Sequence, residues 1–370
     1  MSMEKKLPTG WEVKRLENIC EILDSKRKPI TKKDRISGSY PYYGATGILD
    51  YVDGYIFEEE LILLGEDGAK WEAGENSAFI ATGKYWVNNH AHIFKPNVKL
   101  AENNWIVHYL NFSDLTKYIS GMTVPKLTQE KMRSIEIPLP PLSEQKRIVA
   151  ILDEAFQAID RAKENAGKNL ANAREVFDSY LNQVFSNPGK DWEEKIISDI
   201  SENLDYKRIP ITKRIRDNGD IPYYGASGIV DYVKDFIFDE DLLCISEDGA
   251  NLLARTYPIA FSISGKTWVN NHAHIMRFKN IQTQKFVEFY FNTIRIDDYV
   301  SGMAQPKLNQ AMLNSIPIPY PPLQEQSRIV YQFDKISEET HRLESIYQQK
   351  LAALDELKKS ILQKAFSGEL

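Results

Sequence analysis

The chain has little cysteine and no long apolar run. Its 370 residues contain two cysteines, Cys20 and Cys244, which do not occupy equivalent places in the two halves, so a repeated disulfide or metal site is excluded. Such sparse cysteine predicts a reducing, cytoplasmic location. No segment approaches the roughly 20 apolar residues that a membrane-spanning helix needs. Hydrophobic residues form 42% of the chain, which is enough material for two hydrophobic cores.

Catalytic signatures are also missing. Residues 260–267 resemble a phosphate-binding loop, but that motif needs glycine where Ala260 stands, and the matching segment of the first half has Tyr85 in place of the metal-binding hydroxyl. The chain contains no Asn-Pro-Pro-Tyr-type motif for adenine methylation and no catalytic triad or carboxylate pair that we could place. We therefore expect a protein that is not an enzyme and that needs no cofactor.

The chain does contain a long internal repeat. Its period is 181 residues, close to half of the chain, whereas solenoid repeats span roughly 20–50 residues. A domain and its connector therefore occur twice, and a protein with two similar halves most simply acts on a target that also has two halves. The matching segments are residues 41–47 and 222–228, 86–93 and 268–275, and 137–142 and 318–323.

Each half has the same predicted order of elements. Short strand-like runs and turns lead to a helical candidate, at about residues 102–118 or 283–299, and then to a proline-rich stop. After each stop, apolar side chains recur every three or four positions over a long segment without proline, which is typical of an amphipathic helix that needs a partner. We expect an α+β protein in which two long antiparallel helices form a coiled coil and separate two similar globular domains about an approximate two-fold axis. The expected boundaries are residues 1–142 and 188–322 for the globular domains, and residues 143–187 and 323–370 for the helices.

The motif Ile-Pro-x-Pro-Pro-Leu-x-Glu-Gln-x-Arg-Ile-Val, found after each globular part, resembles the specificity subunit of type I restriction–modification enzymes. The Tyr-Tyr-Gly-Ala-Thr-Gly, Asn-Asn-His-Ala-His and Gln-Lys-Ala-Phe-Ser-Gly-Glu-Leu segments are similar to that family as well, so the resemblance covers essentially the whole chain. It implies two target-recognition domains, each binding one half of a bipartite site on double-stranded DNA. The helices would set the spacing and bind two methyltransferase subunits.

By the same resemblance, the methyltransferase subunits would carry S-adenosylmethionine and modify adenine, and separate motor–nuclease subunits would translocate and cut the DNA. Two globular domains (the heads) and two long helices (the coils) leave one alternative from another functional class. This organisation also fits a structural assembly protein that joins partners through its coils and binds protein or glycan with its heads.

Basic residues cluster at matching positions in the two halves, although the net charge of −6 argues weakly against a protein that simply coats nucleic acid. One such cluster is most simply a solvated loop, but two matching clusters favour a functional face that contacts phosphates. Lys84 and Lys266, each of which follows a glycine shortly before a tryptophan, are further phosphate candidates. The clusters comprise Lys26, Arg27, Lys28, Lys32, Lys33 and Arg35 in the first half, and Lys207, Arg208, Lys213, Arg214 and Arg216 in the second.

The repeated polar and aromatic motifs supply candidates for contact with DNA. The asparagines could bond adenine bidentately, but a hydrogen-bonded turn that supports a neighbouring loop explains them equally well. The two histidines of each His-x-His could share one strand face, yet two imidazoles make no zinc site and no third ligand recurs at an obvious spacing, so we expect no metal. One tyrosine of each Tyr-Tyr pair is expected to face the core. The candidates are Asn88, Asn89, His90, Asn270, Asn271 and His272, and, from the Tyr-Tyr-Gly-Ala-Thr/Ser-Gly motifs, Tyr42, Tyr43, Thr46, Tyr223, Tyr224 and Ser227.

Sequence specificity is expected where the two halves differ. Residues 70–76 face residues 251–257, and neither segment carries an apolar period, so both are predicted to be loops. We expect these loops, with Lys70 and Arg255, to enter the major groove, so that exchanging residues 70–77 with 251–258 would alter half-site preference. The similarity of the heads in an antiparallel frame further predicts two nearly inverted half-sites, close to an interrupted palindrome.

Overall fold

The computed structural model describes residues 7–302 and 304–370. It divides into two compact units: unit 1 comprises the chain up to Gly167 together with Gln349–Leu370, and unit 2 comprises Lys168–Gln348. The division passes through both long helices, so each unit contains one globular part and a portion of each helix. Within the described ranges, no helix combines the length and the apolar character that crossing a membrane requires.

Unit 1 is a mixed α/β structure, with two sheets, two short antiparallel strand pairs and one helix packed on a sheet. Helix α2 (Asn103–Phe112) begins where the Glu102 side chain accepts a hydrogen bond from Trp105 N (2.8 Å), which caps its first turn. The elements of unit 1 are β1 (Glu12–Arg15), α1 (Leu16–Ile19), β2 (Cys20–Ile22), β3 (Ser37–Gly44), β4 (Gly47–Val52), β5 (Leu61–Gly65), β6 (Ala78–Ala81), β7 (Trp86–Val87), β8 (Ala91–Pro96), α2 (Asn103–Phe112), β9 (Ile119–Ser120), β10 (Lys126–Leu127), α3 (Gln129–Arg133), β11 (Glu136–Leu139) and the start of α4 (Leu142–Ser186).

Strand β5 forms the centre of unit 1 and is buried on both faces. It pairs antiparallel with β6 and with β8, which in turn pairs with β2. Ile62 and Leu64 join one core together with α2, whereas Leu61 and Leu63 join a second core that β7 also lines. Burial on both faces explains why this strand is a continuous apolar run instead of an alternating one. The second sheet has the order β4-β3-β7, in which β3 and β7 are parallel.

Unit 2 repeats this plan. Strand β17 (Leu242–Ser246) is again buried on both faces between β18 (Ala260–Ile263) and β20 (Ala273–Phe278). Its residues Leu243 and Ile245 lie in one core, and Leu242 and Cys244 lie in the other. The elements of unit 2 are β12 (Glu193–Ile196), α5 (Ile197–Ile200), β13 (Ser201–Asn203), β14 (Ile221–Gly225), β15 (Gly228–Val233), β16 (Phe238–Asp239), β17 (Leu242–Ser246), α6 (Asn251–Ala254), β18 (Ala260–Ile263), β19 (Lys266–Val269), β20 (Ala273–Phe278), α7 (Ile281–Thr293), α8 (Gln310–Asn314), β21 (Pro317–Tyr320) and the start of α9 (Leu323–Ser367).

The two long helices run antiparallel within each unit. In unit 1, the Lys163 ammonium of α4 is paired with Asp355 of α9. In unit 2, Arg174 Nε of α4 donates to Glu344 Oε1 of α9 at 2.6 Å. Unit 1 also joins Arg147 to Leu370, and unit 2 joins Tyr180 to Gln332. Within each unit, a position further along α4 thus meets a position earlier in α9, as antiparallel order requires. The expectation of an α+β protein with an internal repeat and two long antiparallel helices is confirmed.

A buried glutamine holds the start of each long helix. Gln145 Nε2 donates to the carbonyl oxygens of Pro140 (2.8 Å) and Leu100 (2.9 Å), and Gln326 Nε2 donates to that of Pro321 (2.7 Å). The prolines lack N–H donors and therefore cannot continue a helix backwards. The glutamine amide donates to carbonyl groups of the segment before each helix. Each long helix therefore begins directly at the proline-rich motif.

The two shorter helices end earlier than the sequence predicts. They stop at Phe112 and Thr293, whereas the predicted helices extend to residues 118 and 299. In unit 1, Asp114 Oδ1 accepts a hydrogen bond from Thr116 N (2.9 Å), and a 3-10 turn follows. An aspartate that bonds to backbone two residues further on favours a turn over a continued helix.

Candidate nucleic-acid interface

Four loops of unit 1 meet where strands β3 and β5 end and strands β8 and β10 begin. Backbone hydrogen bonds join them: Glu66 N donates to His90 O (2.8 Å), Leu127 N donates to Glu66 O (2.8 Å), and Asn88 N donates to Tyr43 O (3.0 Å). These bonds bring segments that are distant in sequence to one edge of the fold. The loop cluster of unit 1 comprises residues 44–47, 66–70, 88–91 and 120–126.

The same loops meet in unit 2. Glu247 N donates to His272 O (2.9 Å), Leu308 N donates to Glu247 O (2.8 Å), and Asn270 N donates to Tyr224 O (3.0 Å). The repeat therefore preserves the contacts that assemble the edge as well as the sequence motifs. The loop cluster of unit 2 comprises residues 225–228, 247–251, 270–273 and 301–307, of which residue 303 lies outside the described residues.

Buried charges underlie the loop cluster of unit 1. The Arg27 guanidinium is paired with Glu66, and it also donates to the carbonyl oxygens of Asp24 (3.0 Å) and Ala91 (2.9 Å). Lys126 Nζ lies 2.7 Å from the other oxygen of Glu66. The Arg27 and Glu66 side chains are only 14% and 10% exposed, so this network holds the loops from below.

His92 completes this network and is fully buried. Its Nδ1 lies 2.6 Å from Asp24 Oδ2, and its Nε2 lies 2.7 Å from the carbonyl oxygen of Leu127. The other Asp24 oxygen accepts a hydrogen bond from Ile93 N at 2.8 Å. The imidazole thus ties strand β8 to both β10 and the 3-10 turn at Asp24–Lys26.

Unit 2 contains the equivalent network. Arg208 is paired with Glu247 (2.5 Å), Lys307 Nζ lies 3.0 Å from Glu247, and His274 lies between Asp205 (2.6 Å) and the carbonyl oxygen of Leu308 (2.8 Å). Both networks contain two acids and three basic side chains. The sequence shows no third ligand at an obvious spacing from these histidines, because Asp24, Glu66, Asp205 and Glu247 converge on them from distant segments.

Each network contains two carboxylates and one histidine, which is the composition of a metal site. The atoms that could bind a metal already make hydrogen bonds and ion pairs. In unit 1, both ring nitrogens of His92 face oxygen acceptors, so neither offers a free lone pair to a cation. Arg27 and Lys126 already place two positive charges on Glu66. The residues present therefore suit an ion-pair network better than a metal ion.

The network also sets the ionisation of its acids. Burial alone would raise the pKa of Asp24, but hydrogen bonds and charge from His92, with bonds from Ile93 N and Gln129, bring that pKa below its usual range. Burial likewise opposes ionisation of Glu66, and hydrogen bonds from Lys126 and Arg27 outweigh it, so the pKa of Glu66 is lowered too. The pKa values of Asp205 and Glu247 in unit 2 are lowered by the same kinds of contact.

The two asparagines of each Asn-Asn-His motif differ in their surroundings. Asn88 is buried, and its Oδ1 accepts a hydrogen bond from His90 N at 2.7 Å, whereas Asn89 is exposed. The first asparagine supports the loop, and the second presents its amide to solvent. The motif of unit 2 has the same arrangement, with Asn270 buried and Asn271 exposed.

The exposed histidine of each motif has an acidic partner. His90, whose side chain is 49% exposed, has Nδ1 at 2.5 Å from Asp67 Oδ1. In unit 2, His272 Nδ1 lies 2.9 Å from Asp248 Oδ2. The carboxylate fixes the ring orientation, so the edge of the imidazole opposite to Nδ1 faces away from that contact.

The two tyrosines of each pair differ in burial: the first is fully buried, as expected for one of the two, and the second is half-buried against a core. Tyr42 is buried, and its hydroxyl accepts a hydrogen bond from Ile30 N (2.9 Å), while the Arg35 guanidinium lies 4.4 Å from its ring centroid. Tyr43 packs on Phe79 and Tyr85. Tyr42 therefore holds the basic segment in place instead of presenting its own hydroxyl. In unit 2 the same contacts are made by Tyr223 with Ile211 and Arg216, and by Tyr224 with Phe261.

The basic segments contain two kinds of cation, those held in ion pairs within the fold and those exposed to solvent. Arg27 and Arg35, with Arg208 and Arg216 in unit 2, are committed to ion pairs. The lysines of the same segments point outward. The exposed cations are Lys26, Lys28, Lys32 and Lys33 in unit 1, and Lys213 and Arg214 in unit 2, with Lys207 half-exposed.

The remaining candidates lie in varied settings. Lys70 is exposed and pairs loosely with Glu75 (3.6 Å). Arg255 donates to the carbonyl oxygens of Phe291 (2.9 Å) and Ile294 (2.7 Å) at the end of α7, and it has a positive φ of 53°. Its segment begins as helix α6, so the loop prediction was wrong there, because the side chain of Leu252 joins the core. The proposal that residues 70–76 and 251–257 recognise bases stays a prediction.

Four further candidates were placed by the structure. Lys84 pairs with Glu58 (3.4 Å) and lies over Tyr55, Lys266 lies over Phe236, and Thr46 and Ser227 are exposed at the turns of the loop clusters. The sequence reasoning missed Asp67, Asp248, Lys126 and Lys307, which complete the two edges. The signal for the lysines was available, since Ser-Gly-Met occurs before Pro-Lys-Leu at residues 120–127 and again at residues 301–308.

Known proteins share the repeated organisation of this chain. The family model described as type I restriction modification DNA specificity domain matches twice, at residues 8–167 and 189–353. A protein of Haemophilus influenzae named for the type I restriction enzyme specificity subunits is 30% identical, with 92% of this chain and 91% of that protein covered. The EcoDI specificity subunit of Escherichia coli is 23% identical over 99% of this chain and 90% of its own.

Solved structures show the same fold. The HsdS subunit from Thermoanaerobacter tengcongensis matches with a TM-score of 0.63 at 19% identity, over 99% of each chain. A chain from a study of complex assembly and conformational transition of the type I R-M system matches with a TM-score of 0.73 at 19% identity, over 99% of this chain and 100% of that one. The fold and the paired loop clusters define a duplicated recognition module. The chain belongs to the family of specificity subunits of type I restriction–modification enzymes.

Proposed function

We propose that each globular domain of this chain recognises one half of a bipartite site on double-stranded DNA. The first domain would comprise residues 1–142 and the second residues 188–322, while the helices at residues 143–187 and 323–370 set the distance between the half-sites. The observation that carries the proposal is the duplication of the loop cluster. Each copy combines an exposed asparagine and histidine with exposed cations on the preceding segment.

The chemistry of these side chains suits a division of labour. Exposed lysines such as Lys32 and Lys213 neutralise phosphates, which positions a protein on DNA without specifying sequence. The exposed amides of Asn89 and Asn271 match the N6 and N7 edge of adenine in the major groove. Asn88 and Asn270 would act through the loop that carries their neighbours, because their own oxygens already accept backbone hydrogen bonds.

Similar heads should prefer similar half-sites. Since the two helices that connect the heads are antiparallel, the half-sites would be nearly inverted copies of each other. The full target would then be close to an interrupted palindrome whose spacer is set by the helices.

The helices would also bind the partners that carry catalysis. Within unit 2, an open groove of about 620 Å³ lies between the two helices and is lined partly by Ala173, Val176, Ile336 and Leu343. Val176 is 61% exposed although it is apolar. This surface suits a methyltransferase subunit. The complex would contain two such subunits, which would modify adenine, while motor–nuclease subunits would join through the complex and cut DNA. A cytoplasmic location would follow from that role.

Salt-dependent DNA binding tests the proposal. The chain, assembled with the methyltransferase subunit from the same source, should bind DNA with an affinity that falls linearly on a log–log plot against salt. Lys32→Ala combined with Lys33→Ala should reduce the slope by about 2, whereas Lys99→Ala, an exposed lysine just after the far end of β8, should leave it unchanged. Salt-independent binding, or binding of protein or glycan in place of DNA, would overturn the proposal.

A further inference from the structure

We propose that the hairpin at residues 119–127 of unit 1, and its counterpart at residues 300–302 and 304–308 of unit 2, contact bases directly, and that Thr123 and Val124 against Ala304 and Gln305 determine where the two half-sites differ. The inference rests on the proposed function, because it names the residues through which each head would distinguish its half-site. Neither hairpin was among the candidates taken from the sequence.

The tip of the first hairpin is unusually exposed for its composition. Residues 120–125 are all exposed, with Met122 at 103% and Val124 at 66%. Gly121 has a φ of 89°, and a Cβ atom there would collide with the Val124 carbonyl oxygen, so this tight turn requires glycine. The turn therefore holds two large apolar side chains in solvent, where they have no partner within the described residues of unit 1 that would explain their position.

The base of the hairpin is rigidly anchored. Ser120 pairs with Lys126 and Ile119 pairs with Leu127 across β9 and β10. The Leu127 carbonyl oxygen lies 2.7 Å from Nε2 of the buried His92, and Lys126 is bonded to Glu66. A recognition residue on so firmly held a support is positioned more precisely than one on a free loop.

The anchor places the tip on the same edge as the other DNA candidates. Lys126 lies 3.9 Å from Asp67, which bonds His90. Val124 is two residues from Lys126, so its backbone lies within about 7 Å of that position. An element of this kind would reach into the groove beside Asn89 and His90.

The chemistry of the tip suits bases and not phosphates. Residues 121–125 carry no charge, so they offer no cation to neutralise a phosphate group. Methyl groups such as those of Thr123 and Val124 can contact the C5-methyl group of thymine in the major groove. Gln305 at the second tip can bond adenine bidentately, and Ala304 can contact a thymine methyl group.

Apart from Ile119 against Val300 at the base, the two hairpin sequences differ only at their tips. Ser-Gly-Met precedes and Pro-Lys-Leu follows the variable pair in both copies. In unit 2, Lys307 bonds Glu247 and Leu308 N donates to the Glu247 carbonyl oxygen, as Lys126 and Leu127 do with Glu66. The support is thus common, and an exchange of two residues tests the tip without altering its anchor.

The test exchanges the tips in the full chain. The chain is expressed with its methyltransferase subunit in a host that lacks adenine methylation, and the methylated motif is mapped for the wild type, for Thr123→Ala with Val124→Gln, and for Ala304→Thr with Gln305→Val. We expect each double variant to change base preference at one position of one half-site, with a shift of about tenfold or more in relative methylation. Val98→Gln, a change at an exposed valine beyond the far end of β8, serves as the matched control and should leave the motif unaltered.

The outcomes separate the two proposals. A wild-type motif that both tip variants retain would overturn the role of the hairpins while leaving DNA recognition by the heads intact. A motif shift in Val98→Gln as large as that of the tip variants would also overturn it. If the wild-type complex binds and methylates DNA without any sequence preference, the proposed function itself fails.

Discussion

Replacing Arg27 by methionine should loosen unit 1 without affecting unit 2. The substitution keeps the length of the side chain but removes its charge and its donors. Glu66 would then lose one of its two cationic partners, and the carbonyl oxygens of Asp24 and Ala91 would lose a donor. Breaking a buried ion pair costs about 3–5 kcal/mol. Because Lys126 still neutralises Glu66, we expect the lower end of that range, about 3 kcal/mol.

Hydrogen exchange of the full-length protein measures this effect locally. A loss of about 3 kcal/mol corresponds to roughly a hundredfold faster exchange through local opening. Amides that the network protects, among them those of Ile93 and Glu66, should exchange faster, while the equivalent amides of unit 2 keep their rates. Arg208→Met provides the reciprocal control and should affect unit 2 alone.

One result would refute this reasoning and restore the role that the sequence suggested for Arg27. If Arg27→Met leaves exchange unchanged but lowers the salt dependence of DNA binding by about one phosphate contact, then the guanidinium serves DNA and not the fold. If it accelerates exchange in both units equally, the effect is not the local network described here.

Two further predictions concern acid stability and the asparagine pairs. The pKa values of the four network acids are lowered in the folded state. Their contribution to the stability of the fold is therefore complete above their unfolded pKa of about 4 and is lost as the pH falls through the folded pKa values. Urea midpoints that stay constant from pH 6 to pH 3 would contradict this. Asn89→Ala and Asn271→Ala should weaken specific DNA binding by about 1–3 kcal/mol with thermal stability unchanged. Asn88→Ala and Asn270→Ala should lower the thermal midpoint as well; equal stability losses in all four variants would contradict the division between exposed and buried asparagines.

Much of the architecture could be predicted because it depends on patterns that are local or repeated. The repeat with a period of 181 residues indicates duplication directly. A long proline-free segment with apolar residues every three or four positions specifies a helix whatever lies around it. The helices α4 and α9 accordingly begin at the proline-rich motif, where prolines remove the donors that an earlier turn would need.

The interior of the site could not be predicted in the same way. Asp24 and His92 are 68 residues apart in sequence, and no sequence motif predicts that they are in contact. Their contact depends on the pairing of β8 with β2 and β5, which is a tertiary property. Arg27 looked like a free phosphate ligand for the same reason, since only the fold brings Glu66 to it.

The asparagine pairs show where sequence and structure each contribute. The Asn-Asn-His motif lies in one loop of each cluster, but two adjacent identical residues carry no signal for which one turns inward. Asn88 is buried because its Oδ1 meets the backbone N–H of His90. The hairpins at residues 119–127 and 300–308 were missed although their repeat is present, because exposure at the tip becomes visible only in three dimensions.

The central claim is that each globular domain recognises its own half-site, and one measurement tests it most directly. In a chain in which residues 8–141 replace residues 189–322, both heads would be copies of the first, while both long helices stay intact. Expressed with the methyltransferase subunit, this chain should methylate a perfect interrupted palindrome built from one wild-type half-site, with the spacer unchanged. A methylation map that still shows the wild-type motif, or a motif with two unrelated half-sites, would contradict the claim.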